Sequence, residues 1–172
     1  GRAGSGVNNI PIDIYTDMAI PVFNAPGANS NAVKELVLAS ILMMARNIHS
    51  ALKYVDSVKG SDDLEINIEK GKKAYVGFEL PSKKLGVIGL GQIGVKVANA
   101  AHDLGMKVIG YDPLITVDNA INMQPGVTKV NELKDLLSEC DIITIHIPYK
   151  KETENFIGSS EIKALKTGSI II

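Results

Sequence analysis

Leu85-Gly-Val-Ile-Gly-Leu-Gly-Gln-Ile-Gly94, an amphipathic stretch running to Gly105, and then Lys107-Val-Ile-Gly-Tyr-Asp112 together decide how this 172-residue chain folds. The apolar run Leu85 to Ile88 reads as a buried parallel strand, and Gly89, Gly91 and Gly94 supply G-x-G-x-x-G at the turn into a helix. The first glycine permits the tight turn, the second lets a pyrophosphate approach the backbone, and the third lets the helix pack closely on the strand. Free N–H groups in the helix's first turn, at the positive end of its dipole, would hold the anion. Ile93, Val97, Ala101 and Leu104 share the helical face expected to cover the sheet, with Lys96, Asn99 and Asp103 in water and Gly105 as an αL stop. The second strand ends in Asp112, about 20 residues after the glycines, where a carboxylate can accept both hydroxyls of an adenosine ribose. That predicts NAD. Asp112 also reads as a turn residue held extended by Pro113, and the two roles are compatible.

The same alternation of strand and helix continues downstream. Val127 to Val130 reads as a strand, Asn131 to Glu139 as a helix, and Asp141 to Ile147 as a nearly continuous apolar strand. A short helix near Ser160 to Leu165, Gly168 as its C-cap and a last strand from Ser169 to Ile172 follow. Strands without period-2 polarity, separated by helices, imply a parallel sheet covered on both faces. The fold class is therefore α/β, a doubly wound Rossmann-type sheet.

Upstream, residues 29 to 55 read as one long helix behind Pro26, Gly27 and the cap candidates Asn29, Ser30 and Asn31. From Leu36 to Ala45 only Ser40 is polar, and ten residues are too few to span a bilayer. A helix apolar on every side needs more than one sheet to cover it, which favours a subunit interface over a purely internal position. Leu38, Ile41, Leu42 and Ala45 are its expected contact or core positions, and a homodimer or higher homo-oligomer is the expected assembly. Residues 56 to 84 read as an exposed, charged connection, Ile20 to Phe23 as a short strand, and Gly1 to Ile10 as a glycine turn with a polar loop.

A chain of this length supports one well-buried domain. With 18 basic and 19 acidic side chains and a net charge of −1, it carries no basic stripe for nucleic acid or an anionic membrane, so its partner is expected to be a small molecule or another protein. One cysteine, Cys140, excludes an internal disulfide framework and fits a reducing, cytoplasmic setting. Gly1 to Ile10 has no apolar signal-peptide core, although the chain starts without Met and ends inside its last expected strand, as if cut at both ends. No His/Cys/Asp/Glu cluster has metal-ligand spacing and no G-x-S-x-G elbow occurs, so neither a metal nor a serine nucleophile is expected.

With these motifs placed, the chain resembles the NAD-dependent D-2-hydroxyacid dehydrogenases. The matching stretches are Gly1-Arg-Ala-Gly-Ser-Gly-Val-Asn-Asn-Ile10, Phe23-Asn-Ala-Pro-Gly-Ala-Asn-Ser30, Glu35-Leu-Val-Leu-Ala39 and Ala45-Arg-Asn-Ile48. To these are added Leu90-Gly-Gln-Ile-Gly94, Gly110-Tyr-Asp-Pro113 and Cys140-Asp-Ile-Ile-Thr-Ile-His-Ile-Pro148. The resemblance implies a remnant of a substrate-binding domain over residues 1–26 and the NAD-binding domain over 27–172. In the first, backbone at Gly4 and Ser5 would meet the substrate carboxylate, with Ser5 also facing the nicotinamide; Arg2 would answer the substrate's charge or else be a solvated terminal residue. In the second, backbone at Gln92 and Ile93 would meet the pyrophosphate, Asp112 the ribose, and His146, Ile147 and Pro148 the cofactor at a strand end. Several family members carry Thr where this chain has Ile147, which leaves a backbone contact only.

The resemblance also implies reversible hydride transfer between NAD and C2 of a D-2-hydroxyacid. The expected substrate is 3-phosphoglycerate, in the opening step of serine biosynthesis, with glyoxylate or hydroxypyruvate as the neighbouring alternative. An NAD-sensing, corepressor-like interaction protein is the alternative from another class. The family's catalytic Arg, Glu and His are expected beyond Ile172, so no catalytic residue is assigned within the chain. His49 and His102 read as surface residues; His146 lies near the crevice, but Pro148 and the family pattern point to a structural turn there. Arg46 reads as a cation at a helix end, or as a charge reaching across a dimer.

Overall fold

Five strands hold the molecule together in the computed structural model, which describes residues 1–172. They are β1 (Lys84–Ile88), β2 (Lys107–Tyr111), β3 (Thr128–Val130), β4 (Ile142–Ile145) and β5 (Ile170–Ile171), all parallel, in the order β3-β2-β1-β4-β5. The central register aligns Leu85 with Val108 on one side and with Ile142 on the other. Such a sheet is covered on both faces, which is why its strands are apolar without alternation.

The helices in chain order are α1 (Ile12–Asp17), α2 (Ser30–Ala45), α3 (Ile48–Val58), α4 (Leu64–Gly71), α5 (Gln92–Asp103), α6 (Val117–Ile121), α7 (Leu133–Glu139) and α8 (Ser159–Ala164). Leu85, Val87, Val108 and Ile142 project into the larger core, where Val95, Val97, Ala98 and Ala101 of α5 meet them. α2 lies outside α5 and adds Val37, Ile41 and Ala45 to that core. Across the sheet, Ile88 and Ile143 pack with Leu136, Leu137 and Cys140 of the α7 segment. α7 comes so close to β1 that a Cβ on Gly86 would stand 2.5 Å from Leu136 Cδ2.

Several expectations need correcting. The long helix is two, because Asn47 adopts φ 51°, ψ 31° between α2 and α3, a left-handed conformation that Asn tolerates better than most residues. α2 has an internal partner in α5: Ile41 and Ala45 are buried, Leu38 is half-buried and Leu42 is exposed. Residues 56 to 84 are no plain connection. They contain the end of α3, all of α4 and two 3-10 turns, and Phe78 N–H donates to the Ala45 carbonyl at 2.9 Å, closing the end of α2.

Ile20 to Phe23 form no strand; the only β-bridge nearby joins Arg2 to Asn24, and α1 precedes it. Leu104, expected on the covered face, is the C-cap of α5 and is 42% exposed. Lys96 and Asp103 are exposed as expected, Lys96 Nζ also donating to Ser30 Oγ (2.6 Å), whereas Asn99 is half-buried and bonds the backbone of Asn122 and Gln124. His102 is half-buried against Gly126. Finally, α8 ends at Ala164, so Gly168, at φ +81°, serves the turn into β5 and not the helix cap.

Candidate dinucleotide-binding site

β1 is followed in space by β2 on one side and β4 on the other, so the connections leaving the C-terminal ends of β1 and β4 diverge and open a crevice between them. Doubly wound sheets bind ligands at this switch point. The turn after β1 is tied to both neighbours. Gly89 N–H donates to the Tyr111 carbonyl at 2.8 Å, Leu90 N–H to Asp112 Oδ2 at 2.8 Å, and His146 N–H to the Ile88 carbonyl at 2.7 Å.

The three glycines have separate physical reasons. Gly89 has φ +89°, and a Cβ there would lie 2.9 Å from the His146 carbonyl group. A Cβ on Gly94 would lie 1.8 Å from the Gly89 carbonyl oxygen, so this glycine brings α5 down onto the turn. A Cβ on Gly91 would meet nothing within 4 Å: the chain leaves the space over this residue open.

The first amide of α5 with an acceptor in the chain is Val95 N–H, bonded to the Gly91 carbonyl at 3.0 Å. The N–H groups of Gln92, Ile93 and Gly94 have no acceptor, and Gly91 offers no side-chain cap. Three unpaired donors at the positive end of a twelve-residue helix, beside open space, fit a pyrophosphate. The residues therefore fit a dinucleotide: these amides would hold its diphosphate, and Asp112 its ribose.

A cleft of about 520 Å³ contains Gly89, Gly91, Asp112, His146, Ile147 and Pro148, six of the expected cofactor residues. Gln92, Ile93 and Gly94 are not among the residues that line it. The Gln92 side chain extends to Asn119 Oδ1 at 3.2 Å, and Ile93 packs against the larger core. Arg2, Gly4 and Ser5 lie outside the lining. The Arg2 guanidinium donates to the Gly6 carbonyl, the Gly4 carbonyl accepts from Ala25 N–H at 3.1 Å, and the Ser5 carbonyl accepts from Asn24 Nδ2 at 2.9 Å. A more open hollow of about 770 Å³ lies among Val7, Ile12, Ile20 and Pro21, but its Thr16 and Asn24 side chains already donate to carbonyls of the chain. It offers no convergent donors for an anion.

Two walls of the cleft escape the sequence reading. Leu114 and Asn119 line it beyond β2, and Lys150, Glu152, Thr153 and Phe156 beyond β4. Thr153 organises the second wall, its hydroxyl accepting from Lys150 N–H and donating to the Pro148 carbonyl, each at 2.8 Å. The one sequence signal for these residues is position, since both segments leave C-terminal strand ends.

His146 is half-buried, with Nε2 at 2.9 Å from Thr144 Oγ1, and burial pushes its imidazole below the ordinary 6.5. Burial thus disfavours the protonated ring in the folded chain, and protonation favours the unfolded chain. This contribution to stability is full above the ordinary value and is lost as pH falls through the lowered folded value. His146→Gln should therefore lose less stability than the unaltered chain between about pH 7.5 and about pH 5 in urea titrations. Equal losses would mean that the ring is not desolvated. Cys140 is buried in the smaller core, away from the cleft, and burial pushes its thiol up to about 12, so it is no nucleophile at neutral pH.

Residues 38–172 match the family described as D-isomer specific 2-hydroxyacid dehydrogenase, NAD binding domain. The chain is 41% identical over 172 residues to D-3-phosphoglycerate dehydrogenase of Methanocaldococcus jannaschii, covering 100% of this chain and 30% of that protein. It is 40% identical over 172 residues to the enzyme of the same name from Synechocystis sp., covering 100% of this chain and 29% of that protein. D-lactate dehydrogenase from Aquifex aeolicus, solved in complex with NAD and lactic acid, superposes with a TM-score of 0.76 at 29% identity, over 99% of this chain and 48% of that one. The chain spans about three tenths of the length of the curated relatives it matches. Sequence, sheet order and cleft agree: the chain belongs to the D-isomer specific 2-hydroxyacid dehydrogenases, as their NAD-binding domain.

Proposed function

We propose that the protein to which this chain belongs interconverts 3-phosphoglycerate and 3-phosphohydroxypyruvate with NAD, opening serine biosynthesis in the cytoplasm. The observation that carries this reading is the likeness to D-3-phosphoglycerate dehydrogenases over the whole chain, including residues 1–37, which precede the family match. Residues 1–26 are read as part of the substrate-binding unit, with Arg2, Gly4 and Ser5 meeting the substrate, and residues 27–172 as the cofactor unit. When bound, NAD supplies the hydride acceptor for C2 of the hydroxyacid. The amides of Gln92, Ile93 and Gly94 bind the diphosphate, Asp112 accepts from the ribose hydroxyls, and Ile147 and Pro148 flank the cofactor with backbone and apolar surface. His146 is not assigned the proton transfer, because Pro148 and the family pattern point to a structural turn there and its Nε2 lies 2.9 Å from Thr144 Oγ1.

Turnover of the full-length protein with 3-phosphoglycerate, compared with reduction of glyoxylate and hydroxypyruvate, tests the substrate. Faster reduction of either of the latter would move the protein to the neighbouring activity. The cofactor preference follows from Asp112, which would face the 2′-phosphate of NADP with like charge, a juxtaposition that costs several kcal/mol. NAD should bind much more tightly than NADP, and Asp112→Ser should narrow the ratio. Equal affinity of the unaltered protein for both, by calorimetry, would remove the ribose role from Asp112.

The assembly is read as a homodimer across α2 and α3. Leu36, Leu42, Met43 and Met44 of α2 and Leu52 and Val55 of α3 are exposed apolar residues. No helix is long and apolar enough to cross a membrane, so a membrane span does not account for them.

A further inference from the structure

We infer that Asp112 is a positioning residue for the diphosphate cradle, so that replacing it weakens nucleotides that have no ribose hydroxyl for it to recognise. The inference rests on the cofactor reading above and adds a second role to the same carboxylate.

Both oxygens of Asp112 are already in use: Oδ2 accepts from Leu90 N–H and Oδ1 from Leu114 N–H, each at 2.8 Å. A carboxylate has about four acceptor positions, so these two bonds fix the plane of the group and leave the remaining lone pairs for the cleft. The bond to Leu90 has a further consequence. β1 and β2 pair in register up to Ile88 and Tyr111. Beyond them Gly89 N–H reaches the Tyr111 carbonyl, and Leu90 N–H reaches Asp112 Oδ2. The carboxylate thus provides the last link of the ladder that holds the glycine turn to the neighbouring strand.

Leu90 is fully buried, and a Cβ on Gly110 would lie 2.9 Å from its Cδ1, so its side chain is fixed against β2. Without Asp112 its amide, which belongs to the peptide joining Gly89 to Leu90, loses its acceptor, and that peptide, whose carbonyl oxygen lies against Gly94, is the part free to turn toward another. Gly91 is the next residue, and the three unpaired amides of α5 follow it. Any rotation there re-aims the donors that hold the diphosphate.

Charge works in the opposite direction. Removing a carboxylate beside a bound diphosphate relieves repulsion and by itself would strengthen binding. Weaker binding of a ligand without ribose hydroxyls can therefore be assigned to the lost backbone link.

The probes are ADP and 2′,3′-dideoxy-ADP, titrated by calorimetry into the full-length protein, the Asp112→Ala variant and the Asp112→Asn variant. Amide hydrogen exchange at Leu90 is followed in parallel. Asp112→Ala should weaken dideoxy-ADP by about five- to tenfold and accelerate exchange at Leu90. Asp112→Asn, which keeps one side-chain acceptor, should fall between it and the unaltered protein, and it decides the matter if the Ala variant does not fold. Loss of ADP binding with dideoxy-ADP affinity unchanged or improved would show that Asp112 acts through the ribose alone and overturn the inference. Failure of the unaltered protein to bind either nucleotide or NAD would overturn the cofactor reading, and this inference with it.

Discussion

Gly91→Ala should weaken cofactor binding and keep the stability of the fold, whereas Gly94→Ala should weaken both. A methyl on Gly91 meets nothing within 4 Å, and the backbone there, at φ −77°, ψ −164°, is open to any residue. Stability should therefore change by no more than about 0.5 kcal/mol, or rise slightly through the smaller entropy of the unfolded chain. Under the proposed cofactor reading the open space is the approach of the diphosphate to the unpaired amides of α5, so NAD affinity should fall by at least about tenfold, or ~1.4 kcal/mol.

A methyl on Gly94 would stand 1.8 Å from the Gly89 carbonyl oxygen, which is backbone and already fixed on its amide side to Tyr111. Overpacking costs about 1–3 kcal/mol in typical cores. A backbone clash belongs at the upper end, against a gain of only about 1 kcal/mol from the better helix propensity of Ala. Urea titration and calorimetry on the two variants separate the effects. Normal NAD binding by Gly91→Ala would place the diphosphate somewhere other than this turn.

The contrast between the two glycines also explains which parts of the molecule can be read from sequence. The unit from β1 to β2 is legible because its conditions are local: an apolar strand, glycines at fixed spacing, a helix with one apolar face, and an acid at the next strand end. β2 runs over Lys107–Tyr111 as the pattern predicts. The break at Asn47 is less visible, since the residues on either side continue the helical pattern and a single Asn in the left-handed region ends it. α4 is hidden for a different reason. Its segment is charged, and what holds it is tertiary: Tyr54 O–H donates to the Asn67 carbonyl at 2.6 Å, and the Tyr54 and Tyr75 rings lie 5.3 Å apart. The wall from Lys150 to Phe156 has no periodicity, and its shape depends on one hydroxyl, that of Thr153. The dual engagement of Asp112 is likewise invisible in sequence, because it depends on where the turn after β1 places the Leu90 amide.

Ile41→Ala should cost about 2–5 kcal/mol, while Leu36→Glu should leave the folding of a single copy nearly unchanged. The two residues lie on the same helix, and both belong to a stretch in which apolarity runs all round. Periodicity therefore does not tell them apart. The structure does: Ile41 is 1% exposed in the larger core, against 68% for Leu36. The apolar circumference of α2 is thus divided. Val37, Ile41 and Ala45 seat it on α5, leaving Leu36, Leu42, Met43 and Met44 for a surface of a different kind. Under the homodimer reading, Leu36→Glu combined with Met43→Glu should convert dimer to monomer in sedimentation velocity at high micromolar concentration, because a charge buried without a partner at the contact is costly. A clean monomer of the unaltered protein at that concentration would remove the dimer. An Ile41→Ala cost well below about 2 kcal/mol would instead remove the seat of α2 on α5, since a well-packed site cannot collapse around the lost methyl groups.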